Sequence, residues 1–80
     1  MKLPRDVTGE ELIRALRRFG YVVTRQAGSH VTLTWEDAPQ HHLSVPMHRP
    51  IKPGTLSSIL KEFGARHGMI VDDVVRALGL

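Results

Sequence analysis

The hydrophobic period of this chain changes twice, from helical to extended and back, and that alternation restricts the folds open to it. Leu12, Ile13, Leu16 and Phe19 recur at spacings of three and four and form one apolar stripe, with Arg14, Arg17 and Arg18 lying off it. The next stretch, Tyr21 to Gln26, is β-branched and aromatic, Ala27-Gly28-Ser29 has turn chemistry, and His30 to Trp35 alternates polar with apolar, which together predict a β-hairpin. Helical spacing returns with Leu56, Ile59, Leu60 and Phe63, and again with Val71, Val74, Val75 and Leu78. With a third strand at roughly His41 to Val45, the order is α, β, β, β, α and a short final α. An α+β fold, with helices on one face of a three-stranded antiparallel sheet, is the simplest way to bury these apolar faces, and it leaves the other sheet face free for function.

Local signals set the expected boundaries. Thr8-Gly9-Glu10-Glu11 reads as a capping box, so the first helix starts at about residue 9, and Gly20 is expected to supply its left-handed stop. In the second strand Val31, Leu33 and Trp35 face the core, leaving His30, Thr32 and Thr34 on the open face, which His42 and Ser44 join from the third strand. Pro46 to Gly54 contains three prolines and reads as an ordered, irregular loop. Thr55 is expected to cap the second helix and Gly64 to close it. Asp72 and Asp73 fall in the first turn of the last helix, where the dipole favours them.

Composition narrows the chemistry. Eighty residues, 41% apolar and 24% charged, describe one small domain spanning 1–80. No run approaches the roughly 20 apolar residues of a membrane span, and Met1 to Asp6 lacks the apolar stretch of a signal peptide, so a cytoplasmic protein is expected. With no cysteine there is no thiolate nucleophile or Cys-ligated zinc, and the carboxylates are scattered rather than clustered as two-metal hydrolysis requires. Eleven Lys and Arg against eight Asp and Glu suit a polyanionic partner.

Five histidines are the compositional oddity. His67 lies near a helix end, where a cation would complement the dipole. His41 and His42 resemble a metal pair, but adjacent strand residues point to opposite faces and cannot chelate one ion. His48, beside Arg49 in the proline-rich loop, reads as solvated, with ligand contact as the alternative. His30 differs, because it begins a strand on the open face, directly after a Gly-Ser turn. An imidazole titrates at about 6.5 and can both take and return a proton near neutrality. Arg25, across the hairpin, is placed to reach a phosphate that also touches His30, and Ser29 adds a hydroxyl and an amide. Lys52-Pro53-Gly54-Thr55 puts a cation just before a helix N-terminus, where free amides favour anions. Arg14, Arg17 and Arg18 form either a solvated helix face or an electrostatic footprint for nucleic acid. Trp35, on the apolar side of its strand, reads as core rather than as a base-stacking platform.

Four segments resemble one known family: Glu11-Leu12-Ile13 through Phe19-Gly20-Tyr21, Arg25-Gln26-Ala27-Gly28-Ser29-His30, Val45-Pro46-Met47-His48, and Lys52-Pro53-Gly54-Thr55-Leu56-Ser57-Ser58-Ile59-Leu60-Lys61. They are similar to the HicA-type mRNA interferase toxins of toxin–antitoxin modules, over nearly the whole chain. The resemblance implies a fold like that of double-stranded RNA-binding domains, RNA cleavage with His30 as the catalytic histidine, a Gly28 that lets RNA approach closely, and a HicB-type antitoxin that covers the site. Taken with the residue chemistry, it predicts a metal-independent endoribonuclease with no cofactor, acting on mRNA. His30 serves as the acid or base, Arg25 and Lys52 as the phosphate cations, and Gly28, Ser29 and Thr55 complete the RNA contacts. The rival from another class is a non-catalytic RNA-binding module or inactive toxin relic of the same fold.

Overall fold

A computed structural model describes residues 3–80; Met1 and Lys2, part of the N-terminal reading above, lie outside the described residues. Helix α1 spans Gly9–Phe19, strands β1, β2 and β3 span Val22–Ala27, His30–Trp35 and His41–Pro46, and helices α2 and α3 span Pro53–His67 and Val71–Leu78. The strands form one antiparallel sheet in the order β1-β2-β3. Helices α1 and α2 pack against β3, and α3 packs against both helices.

The capping box is formed as expected: the Glu11 amide donates to Thr8 Oγ1 at 3.1 Å, and the Thr8 amide donates to Glu11 Oε1 at 3.0 Å. Helix α1 then buries Leu12, Ala15 and Leu16 against the sheet. They join Val31 and Leu33 of β2, Leu43 and Val45 of β3, Leu56, Leu60 and Phe63 of α2, and Val74 and Leu78 of α3 in one apolar cluster. Each fully buried Leu, Val or Phe there contributes about 1.5–3 kcal/mol. Trp35 is half-buried beside it, its ring centroid 5.6 Å from that of Phe19 and 5.5 Å from that of Tyr21, in keeping with a core role.

Four local expectations need correction. Gly20 ends α1 at φ 133° and ψ 3°, not in the compact left-handed region, because the chain passes straight into β1; a Cβ there would also fall 2.8 Å from the Trp35 ring, so the position suits glycine on both counts. Thr55 does not cap α2. Lys52 is the N-cap without a side-chain bond, and Pro53, whose fixed φ suits the first turn and whose missing N–H costs nothing there, starts the helix earlier. Gly64 does not close α2, which runs on to His67 and ends at Gly68 in the left-handed conformation. Gly64 is instead a packing position, since a Cβ there would collide with the Met69 carbonyl and press on Val74 Cγ2 at 3.3 Å. Finally Thr34, although on the open face, is only 2% exposed, because Thr24 and His42 flank it with hydrogen bonds of 2.8 Å each.

Candidate active site

The β1–β2 hairpin closes with Ala27 opposite His30, so its loop is Gly28-Ser29 alone. Gly28 has φ 58°, as a two-residue turn with glycine first requires, and the space where its Cβ would stand is empty, leaving that side of the turn open to a ligand. His30 is exposed and pairs with Pro46 across the β2–β3 ladder. Arg25 reaches the same face, as its place across the hairpin predicts. Ala27, Gln26 and Arg25 pair in unbroken register with His30, Val31 and Thr32, so Arg25 shares the face of His30, two residues along β2 from it; a register shift between Val23 and Arg25 interrupts β1 only beyond that point. Thr24, at the irregularity, bonds to Thr34 Oγ1 at 2.8 Å and donates to the Thr32 carbonyl at 3.4 Å. No turn residue marks this bulge, so periodicity alone had no means of finding it.

The turn is tied to the loop after β3. The Met47 amide donates to the Ser29 carbonyl at 2.6 Å, and the Gly9 amide donates to the His48 carbonyl at 3.0 Å. Arg49 pairs with Glu10 at 2.6 Å, and the Ile51 amide donates to the Val7 carbonyl at 2.8 Å. The proline-rich stretch is therefore ordered, as expected. Lys52 and Thr55 are exposed at the start of α2, beyond this loop, and among the described residues no hydrogen bond or ion pair joins either to the hairpin. His30, Ser29, Gly28 and Arg25 thus form one group, and Lys52 with Thr55 another.

The adjacent histidines do face opposite ways. His42 Nδ1 bonds to Thr34 Oγ1 at 2.8 Å on the open face, while His41 Nδ1 meets the Tyr21 hydroxyl at 2.8 Å on the covered side. His67 Nε2 meets the same hydroxyl at 2.9 Å and stacks edge-on to Trp35, Phe19 and Tyr21. Burial, reinforced by the nearby Arg66 guanidinium and the other imidazole, holds the His67 pKa below its ordinary value. His67 is therefore a neutral member of an aromatic cluster, and the expected cation at a helix end is corrected. His41 is also lowered, first by burial and then by Arg66 and His42, with Glu62 opposing. Burial pushes the Tyr21 hydroxyl up to about 12. Sequence reasoning missed this Tyr21 hub, whose three members are 20 and 46 residues apart along the chain. Among the described residues no three His, Asp or Glu side chains converge so as to hold a metal ion.

A cleft of about 470 Å³ runs beside the turn rather than over His30, lined by Glu10, Ile13, Arg14, Arg17, Arg18 and Met47. The three arginines thus share a groove with Met47, the residue bonded to Ser29. Arg18 also donates to the Leu78 carbonyl at 3.3 Å, helping to hold the end of α3. No helix of the described residues is long and apolar enough to cross a membrane.

Comparison with curated proteins and with solved structures finds no match. Residues 9–65 match the family described as the HicA toxin of bacterial toxin-antitoxin, a stretch that runs from the start of α1 to near the end of α2 and contains the hairpin, the Met47–His48 loop and the Lys52–Thr55 segment. With the sheet open on one face, the Gly28-Ser29-His30 turn and this match over most of its length, the chain belongs to the HicA toxin family of toxin–antitoxin systems.

Proposed function

We propose that this toxin is a metal-independent endoribonuclease that cleaves mRNA in the cytoplasm and so inhibits translation, with residues 1–80 acting as one HicA-like domain. The observation that carries this reading is an exposed imidazole, His30, on an uncovered sheet face beside an unobstructed glycine turn, with Arg25 on the same face through the regular pairing of the hairpin. His30 takes the proton of a ribose 2′-hydroxyl or gives one to the leaving 5′-oxygen, a role worth roughly 100- to 10,000-fold in rate. Arg25 stabilises the charge that develops on the phosphorane, Gly28 and Ser29 let the backbone approach the RNA, and Lys52 and Thr55 hold a neighbouring phosphate at the start of α2. The natural inhibitor is a HicB-type antitoxin seated over His30.

The test is His30→Ala, expressed and purified beside the wild type. Loss of growth inhibition and of RNA cleavage is expected, with a melting temperature almost unchanged because exposed substitutions usually cost under about 0.5 kcal/mol. A variant that remains toxic at equal expression would sink the mechanism and favour RNA binding without catalysis. Wild-type cleavage is also expected to persist in excess EDTA.

A further inference from the structure

Cleavage of RNA through its own 2′-hydroxyl moves two protons, one off the attacking oxygen and one onto the leaving 5′-oxygen, and a single imidazole is best placed for only one of them. The structure disfavours most partners for the second. His42 belongs to the row of Thr34, four residues along β2 from His30 and so roughly 13 Å away, and its Nδ1 is bonded to Thr34. His41 and His67 turn to Tyr21 on the covered side. Glu10 is engaged with Arg49.

His48 remains, and the ladder brings it close. His30 stands opposite Pro46, and the bond from the Met47 amide to the Ser29 carbonyl extends the β2–β3 pairing one step past the strand end. Proline, lacking an N–H, fits the outer edge at such a position. Met47 lines the cleft with Ile13 of α1, on the helix side, so alternation returns His48 to the side of Pro46 and His30. His30 and His48 are then diagonal cross-strand neighbours, whose Cα atoms lie roughly 7–8 Å apart and whose Cβ atoms are somewhat closer, within reach of one phosphate held between two imidazoles. The backbone of His48 is pinned through its carbonyl to the Gly9 amide at 3.0 Å, and the next residue is held by the Arg49–Glu10 pair. Both histidines are exposed, and among the described residues neither ring is bonded to protein.

We infer that His48 is a second catalytic acid–base group, acting on the same phosphodiester as His30; this rests on the ribonuclease reading above. One imidazole accepts the 2′-hydroxyl proton as the bond from that oxygen to phosphorus forms. The other donates a proton to the 5′-oxygen as its bond to phosphorus breaks, leaving a 2′,3′-cyclic phosphate and a free 5′-hydroxyl with no external co-reactant.

The experiment compares wild type, His48→Ala, His48→Gln, His30→Ala and the double alanine variant on a short RNA, with single-turnover rates across pH and RNA affinity measured separately. Arg25, Arg49 and Glu10 are the charged groups around the pair, and all are kept in every variant. Each His48 variant is expected to keep its melting temperature and RNA affinity, to lose roughly 100- to 10,000-fold in rate, and to lose one limb of the wild-type pH–rate profile. The double variant should be far less impaired than the product of the two single losses, as for groups acting as a unit. An RNA analogue with an aryl leaving group, which needs no acid, should restore whichever variant lacks the acid. Rates within about threefold of wild type, or a loss confined to affinity with the pH profile intact, would overturn the pairing while leaving the His30 mechanism standing. Absence of cleavage by the wild type would overturn both.

Discussion

Tyr21 joins residues that no local pattern connects. Its hydroxyl has one proton and meets two imidazole nitrogens, so it donates to one ring, whose facing nitrogen must be unprotonated, and accepts an N–H from the other. Protonating the accepting ring abolishes its bond, in line with the lowered values of His41 and His67. In the unfolded chain both titrate near 6.5, so the unfolded state binds more protons just below that pH. Their contribution is complete above 6.5 and is lost as pH falls through the lower folded values. A melting temperature that falls between about pH 7.5 and pH 5 is expected, and His67→Phe should flatten that slope. An unchanged slope in the variant would exclude the hub as its source. Glu11, lowered from 4.5 by the amide and then the hydroxyl of Thr8, adds stability that is lost only below that carboxylate range, so the two effects separate on the pH axis.

At the scale of elements, α2 carries the most instructive departures. A Pro-Gly-Thr opening offers two start signals, and the proline prevails because Lys52 already has extended backbone, with φ −61° and ψ 141°, as a residue before proline prefers. A glycine late in an apolar pattern likewise has two readings, helix stop or close packing, and only the return of the chain through Met69 to α3 selects the second. Gly64→Ala is therefore expected to destabilise by about 1–3 kcal/mol through overpacking, despite the roughly 1 kcal/mol that alanine would add in an open helix. Urea denaturation of both proteins checks this, and a raised midpoint would show that the Met69 carbonyl yields freely.

For the molecule as a whole, the balance of charge suits the proposed partners. Arg25 on the open face and Lys52 at the start of α2 leave positive potential when RNA is absent, which carboxylates of an antitoxin could neutralise. Arg25→Glu and Lys52→Glu are expected to weaken both RNA cleavage and antitoxin binding, and association of the wild type should slow as salt rises, since screening acts beyond about 8 Å at physiological ionic strength. Titrations at two salt concentrations, beside a cleavage assay, provide the check. Antitoxin binding that survives both substitutions while cleavage collapses would place the inhibitor on another surface.

Element order, the one-sided sheet, the Thr8 cap and the exposed position of His30 were all readable from the chain, because each follows from spacing within a few residues. The fold class followed from them, since amphipathic helices and a half-apolar sheet have few ways to cover one another. The irregularity in β1 before Arg25, the burial of Thr34, the His41–Tyr21–His67 hub and the bond from Met47 to Ser29 past the end of β3 were decided by tertiary structure. Each depends on which strand or helix lies opposite, a contact between residues distant in sequence that no local period encodes.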